Sequence, residues 1–245
     1  MNLNIGVGVS SYLRPTEALE VCNSLLRETA GRSDHRFNTV CSADEESPAG
    51  YDQIARDFGL ITGPNGGVAA NKNRLLRHFS KFDCDVVFLI EDDLQINQTG
   101  WLDMYCQALR ETGMGHLTWL SPDYRKPLTG IMKLKDMTIG LYGHEVNGVF
   151  MVMTRECIQR VGAFDEGFGR YGAEHMDYSR RCYHAGLYPA RHPHIQEADD
   201  MFSLMPTPSC IPDAEKVPLA TAAMRRLMEI ERERVAGRSG FYLPL

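Results

Sequence analysis

"FLIEDDLQI", Phe88 to Ile96, ends an apolar run on three consecutive acids. Val86, Val87, Phe88, Leu89 and Ile90 form a short unbroken β-branched and aromatic stretch, the pattern of a strand buried on both faces of a parallel sheet. Glu91, Asp92 and Asp93 follow at once. Three adjacent carboxylates repel one another and each is costly to desolvate, so they persist where water solvates them or where a cation or hydrogen-bond donors compensate them. One reading is a solvated loop after a strand; the other is a divalent-metal site.

Outward from this strand, strand-like and helix-like segments alternate through the first half of the chain, as in an α/β protein with a mostly parallel sheet flanked by helices. Ile5 to Val9 is an expected strand, and Pro15 opens a helix running to about Thr29. Phe37 to Cys41 and the pair Leu60, Ile61 read as strands, and Gly67 to Phe79 as a helix with Val68, Leu75, Leu76 and Phe79 on one face. Beyond the acids, the pattern predicts a helix over Trp101 to Arg110, a strand over His116 to Leu120, hairpin material over Gly130 to Gly143 and a buried strand over Val146 to Met153. Helices are expected over Ala173 to Ala185 and Leu219 to Val235, the latter with Met224, Leu227, Met228 and Ile230 inward. Pro206, Pro208, Pro212 and Pro218 mark an irregular linker. The reading is one domain over 1–205, with halves of about 1–97 and 98–205, followed by a linker and C-terminal helix over 206–245.

The composition is that of an ordinary globular protein: 245 residues, 43% hydrophobic and 24% charged. No stretch approaches the roughly 18 apolar residues of a membrane span. "MNLNIGVGVSSYLRP" lacks the basic start and cleavage site of a secretory signal, so the expected location is cytoplasmic. Seven scattered cysteines without a CxxC pair suggest reduced packing residues rather than a disulfide framework or zinc knuckle. A net charge of −6 offers no global attraction to nucleic acid.

Three stretches carry the chemistry: "FLIEDDLQI", "TGPNGGVAANKNRLL" (Thr62 to Leu76) and "GAFDEGFGRYGAEHMDYSRRCYHAG" (Gly162 to Gly186). With the opening "VGVSSYLRPTEALEVCNSLL", their order and separation resemble the GT-A glycosyltransferases, especially the inverting, nucleotide-sugar-dependent family 2, from about residue 4 to residue 195. Leu13 stands where that family commonly has Asn. The resemblance implies a Rossmann-like GT-A sheet with Mn²⁺ or Mg²⁺ as cofactor. Asp93 would be a direct metal ligand, with Glu91 and Asp92 on metal waters, ribose or the donor sugar. A hard cation on oxygen ligands neutralises a departing diphosphate without proton transfer.

The donor site would further use Ser10, Tyr12 and Arg14 in the turn after the first strand, Asp44 on the base, and Asn65, Gly67, Lys72 and Asn73 around the diphosphate. The plain alternatives are a helix cap for Ser10 to Pro15 and a surface acid for Asp44. The family usually shows Glu-Asp-x-Asp at the base; here Glu174, His175, Met176 and Asp177 occupy it, which leaves Glu174, His175 and Asp177 as competing bases. Asp165 and Asn147 are expected on the acceptor side, and His192 or His194 would complete the metal shell. Trp101 and Trp119 could stack on sugar or fill the core.

The expected partners are a nucleotide-sugar, with UDP as the first choice, and an acceptor that is a saccharide, a protein or a modified DNA base. The oligomeric state is left open. Lys126, Lys133, Lys135, Arg170, Arg180, Arg181 and Arg191 fall in the acceptor half, where they would suit an anionic acceptor or simply face solvent. Two other classes compete. A nucleotidyltransferase would need a Gly-rich phosphate loop that "SSYLRP" does not supply, and a catalytically silent GT-A scaffold is favoured only by His175 in the base position.

Overall fold

The computed structural model describes residues 2–122, 128–143, 148–188 and 192–245. In the first half, β1 (Asn4–Ser11), β2 (Arg36–Ala43), β3 (Leu60–Thr62) and β4 (Val86–Glu91) are parallel strands, joined through α1 (Pro15–Thr29), α2 (Asp52–Asp57) and α3 (Gly67–Lys81). The second half adds β6 (His116–Thr118), β7 (Leu128–Lys133), β8 (Thr138–Tyr142), β9 (Phe150–Thr154) and β10 (His192–Ile195). The sheet order is β3-β2-β1-β4-β9-β6-β10-β8-β7, and only β8 and β9 run against the others.

The chain moves outward from β1 to β2 and β3, then crosses back through α3 to β4 on the other side of β1. Such a reversal opens a crevice at the carboxyl ends of the two strands, where open α/β sheets bind ligands. Ser10 pairs with Glu91 in the β1–β4 register, so the Ser10 turn and the acids leave the sheet side by side. Close packing of α3 on β1 depends on Gly6 and Gly8. A Cβ at Gly6 would lie 2.5 Å from the Phe79 ring, and one at Gly8 would lie 2.9 Å from Leu75.

Four features depart from the sequence reading. A helix α5 (Arg155–Val161) starts directly at the end of β9, with the Thr154 hydroxyl accepting from Cys157 N at its cap. A two-stranded antiparallel sheet pairs β5 (Leu94–Ile96) with β11 (Phe202–Leu204). The last helix, α7 (Asp213–Val235), begins ahead of Leu219 and carries Pro218 inside it, at the cost of one backbone hydrogen bond. Leu227 and Ala223 are its buried apolar residues on the domain, while Met228 is exposed rather than inward. Between these lie α4 (Trp101–Thr112) and α6 (Glu174–His184), close to their expected bounds.

Trp101 and Trp119 are core residues, 0% and 1% exposed. Trp101 meets Phe88, Phe150 and Phe202 edge-on or tilted, and Trp119 meets Phe202. Neither lines a cavity of the crevice. Among the described residues no helix is long and apolar enough to cross a membrane.

Candidate active site

The turn after β1 is folded around Asp92. Ser11 Oγ donates to Asp92 Oδ2 at 2.7 Å, Tyr12 N to the same oxygen at 3.2 Å, and Arg14 Nη1 to Oδ1 at 3.1 Å. Leu13 has φ 56, a left-handed conformation that Asn adopts far more readily than Leu. The backbone thus explains a preference for Asn here. Burial still pushes the Asp92 carboxyl up to about 7, against the opposing Ser11 and Arg14 contacts.

Glu91 and Asp93 have different surroundings. Lys72, fully buried, donates to Glu91 Oε1 at 2.6 Å and to the Gly148 carbonyl at 2.8 Å. Burial would raise Glu91, but the Lys72 cation outweighs it and holds the carboxyl below its ordinary value. Asp93 Oδ1 is buried with no hydrogen-bond partner, and Oδ2 has Arg14 at 3.7 Å. Burial first, then the neighbouring Glu91 charge, raise Asp93 to about 6.

Asp44 caps α3: Oδ1 accepts from Gly66 N at 3.1 Å and Arg74 at 2.9 Å, and Oδ2 from Gly67 N at 2.8 Å. Gly67 has φ +86, and a Cβ there would lie 2.4 Å from the Gly169 carbonyl. Its lack of a side chain admits the 169–170 backbone rather than a ligand. Asn73 turns away from the crevice, donating to Phe164 O at 3.0 Å and Glu166 at 2.8 Å while accepting from Phe164 N. The buried Asn71, which the sequence reading missed, lines the crevice and ties Ser11 O to Ser42 O, each at 3.1 Å.

Two cavities occupy the crevice. The first, about 430 Å³, is lined by Ser10, Tyr12, Arg14, Asp44, Asn65 and Gly67, by all three acids, and by Arg170, Thr207 and Lys216. The segment after β11 closes one side: Met205 N donates to Asp93 O at 2.7 Å, Arg14 to Pro208 O at 2.6 Å, and Cys210 Sγ to Tyr12 O at 3.1 Å. The second cavity, about 450 Å³, is lined by Glu174, His175, Met176, Val149 and Tyr171, and by Ala220 and Met224 of α7. Glu91 and Asp93 line both cavities, so the two meet at the carboxylates.

Of the three expected bases, Glu174 and His175 face the second cavity, with His175 Nδ1 at 3.2 Å from Glu174 Oε1. Asp177 does not. It is fully buried between Arg181, whose Nε donates at 2.8 Å, and Arg234 of α7, so it ties two helices together. Asp165 likewise binds Arg226 of α7 at 2.9 Å and accepts from Gly167 N at 2.8 Å, outside both cavities. Asn147 lies outside the described residues, as do Lys126 and Arg191.

The histidine arm of the metal site is not assembled around Asp93. His194 Nδ1 accepts from Leu120 N at 3.1 Å and Nε2 donates to Asp199 at 2.9 Å, while His192 is buried in β10; neither lines either cavity. Among the described residues, the one group of His and acid side chains close enough to share an ion is Asp34, His35 and Asp103, within 4.8 Å of one another. It lies at the amino end of β1, where His35 accepts from Leu3 N, and Arg32 Nη2 already bridges Asp34 at 2.7 Å and Asp103 at 2.6 Å. At the crevice, the orphaned Asp93 Oδ1, on a carboxyl raised by burial and by the adjacent Glu91 charge, marks uncompensated negative charge, and with Glu91 beside it the oxygen donors fit a hard divalent cation.

This mixed α/β fold, with a large mostly parallel sheet, is that of known glycosyltransferase structures. It matches a mannosyltransferase, PcManGT from Pyrobaculum calidifontis in complex with GDP-Man and Mn²⁺, at TM-score 0.57 and 16% identity, over 79% of this chain and 55% of that one. It also matches S. aureus TarS 1-349 in complex with UDP, at TM-score 0.53 and 15% identity, over 75% and 56% of the two chains. In sequence it is 29% identical over 140 residues to an uncharacterized glycosyltransferase of Acanthamoeba polyphaga mimivirus, covering 56% of this chain and 54% of that protein. The chain thus spans about half the length of that curated relative. No family model matches it.

Proposed function

We propose that the protein is an inverting, metal-dependent glycosyltransferase of the GT-A type, moving a sugar from a UDP- or GDP-linked donor, UDP first, to an acceptor hydroxyl. The observation that carries this reading is the meeting of two cavities at Glu91 and Asp93, with Glu174 and His175 also lining the second. The relative's name and the GDP-Man and UDP bound by the two neighbours support it.

The donor would lie in the first cavity with its base toward Asn65 and the Asp44 wall and its diphosphate among Arg14, Arg170 and Lys216. A divalent cation held at Asp93, with Glu91 beside it, would supply neutralisation of the leaving diphosphate. The anomeric carbon then faces the seam between the cavities. An acceptor hydroxyl arriving from the second cavity attacks from the face opposite the diphosphate. The new C–O bond forms as the glycosyl phosphate bond breaks, and Glu174 takes the hydroxyl proton, with His175 hydrogen-bonded to its Oε1. Attack across the seam inverts the anomeric centre.

The test is unfolding of the purified protein with UDP or GDP, with and without Mn²⁺. We expect Mn²⁺-dependent stabilisation in the native protein and none in Asp93→Ala. Equal stabilisation in the variant removes the metal assignment. Absence of nucleotide stabilisation in the native protein removes the reading itself.

A further inference from the structure

The two cavities differ in charge, and the difference bears on what the second one accepts. Arg14, Arg170 and Lys216 line the first. Among the described residues lining the second there is no Lys or Arg, and its polar groups are Glu91, Asp93, Glu174 and His175. The buried Lys72 does not line it and is hydrogen-bonded to Glu91 and the Gly148 carbonyl. Arg181, placed by sequence among the cations available to an anionic acceptor, is buried on Asp177.

The remaining wall is apolar: Val149, Met176 and Leu204, with Ala220 and Met224 one helical turn apart on α7, and the partly exposed ring of Tyr171. This wall is fixed in place. Arg226 of α7 binds Asp165 at 2.9 Å, Glu231 binds His184 at 2.7 Å, and Arg234 binds the buried Asp177. An apolar wall in a cavity that Glu174 lines and no described Lys or Arg lines favours a neutral body that can cover methionine and tyrosine surface, and it disfavours a second anion.

Resting on the reading above, we propose that the second cavity takes an uncharged hydroxyl acceptor with an aromatic or aliphatic body. Ala220, Met224 and Tyr171 hold that body, and Glu174 meets the hydroxyl. Acceptors carrying a carboxylate or phosphate beside the reacting hydroxyl are disfavoured by Glu174 and by the lack of a Lys or Arg among the described lining residues to receive a second anion.

Three matched probes test this by titration, followed by ligand-observed NMR at saturating Mn²⁺ and UDP or GDP. They are 4-nitrophenyl β-D-glucoside, methyl β-D-glucoside, which removes the apolar body, and 4-nitrophenyl β-D-glucuronide, which adds a carboxylate. The nitrophenyl glucoside should bind tightest, with each of the others weaker by about tenfold or more. Met224→Lys, its folding checked by its unfolding midpoint, should weaken the nitrophenyl glucoside and tighten the glucuronide. The proposal is overturned if the glucuronide or the methyl glucoside binds as tightly as the nitrophenyl glucoside, if none of the three binds, or if Met224→Lys leaves all three unchanged. Nucleotide stabilisation measured on the same sample separates the two levels. If it persists while the glycosides fail, the acceptor assignment falls alone; if it is absent, the glycosyltransferase reading falls too.

Discussion

Replacing Asp93 by Asn should make the metal-free protein more stable while abolishing its response to metal. The Asp93 carboxylate has one buried oxygen with no donor and a second with Arg14 only at 3.7 Å, and Glu91 and Asp92 adjoin it. Its carboxyl is raised from 3.8 to about 6, first by burial and then by the Glu91 charge. Two pH units at about 1.4 kcal/mol each bound the cost of ionising it in the fold at ~3 kcal/mol. Asn keeps the shape and removes the charge but brings an amide that also needs partners, so a net gain of ~1–2 kcal/mol is the reasonable figure.

The sign of the pH dependence follows from the raised value. The folded state holds the proton more tightly than the unfolded chain, so the ionisation cost is fully present above about pH 6 and gone below about pH 4. Urea unfolding in EDTA, followed by the fluorescence of the buried Trp101 and Trp119, should therefore show Asp93→Asn ahead of the native protein at about pH 8 and level with it near pH 4. With Mn²⁺ and nucleotide at about a hundred times their dissociation constant the order should reverse, because the native protein alone gains ~2.7 kcal/mol. A variant that is no more stable than the native protein at about pH 8 in EDTA refutes the idea that Asp93 carries an uncompensated charge.

Three further outcomes follow from the same geometry. Glu174→Gln should retain nucleotide stabilisation while transfer falls about 10²- to 10⁴-fold; near-normal transfer would shift the base to His175, which His175→Ala would then expose. Lys72→Met leaves Glu91 and the Gly148 carbonyl without their buried partner and should cost ~3 kcal/mol in urea unfolding, with Glu91→Leu added to it recovering part of the loss; no loss would mean that the pair is not formed. His116 is fully buried, and burial lowers it to about 4, so its contribution is present above about pH 6.5 and lost as the pH falls toward 4. The native protein should lose ~2 kcal/mol more than His116→Gln between about pH 7 and 5, read as a difference because Asp92 and Asp93 titrate in the opposite sense; equal losses would contradict the buried neutral imidazole.

The parts of the fold legible in the sequence were those fixed by local pattern. The run ending at Glu91 was readable as a buried strand because five apolar residues in succession suit a strand covered on both faces, and α1 was readable because Pro15 and the apolar spacing agree. What was not legible depends on distant partners. Leu94 to Ile96 becomes a strand only through Phe202 to Leu204, and α7 runs through Pro218, which local chemistry reads as a break. Yet the β5–β11 pair is what seats Met205 against Asp93 and carries the Pro208 carbonyl to Arg14, so a pairing invisible in the sequence shapes one wall of the first cavity.

The same distinction separates residue type from residue role at the site. The resemblance assigned Asp44, Lys72 and Asp92 to the donor site and Asp177 to the base position, and in the structure all four are buried. A sequence does not show which of their atoms are already spent. Asp44 is spent on the start of α3, Lys72 on Glu91, Asp92 on the Ser11 turn and Asp177 on Arg181 and Arg234, whose position 57 residues away no local pattern reports. These contacts fix the turn, the helix and the acids in position. Once they are formed, Glu91 has Lys72 and Asp92 has three donors, whereas a buried oxygen of Asp93 has none. Charge left over in an otherwise satisfied site is a free-energy cost that folding alone does not explain, and it becomes useful only when a cation occupies it. That asymmetry, more than the presence of three acids, is the physical argument for a metal at Asp93.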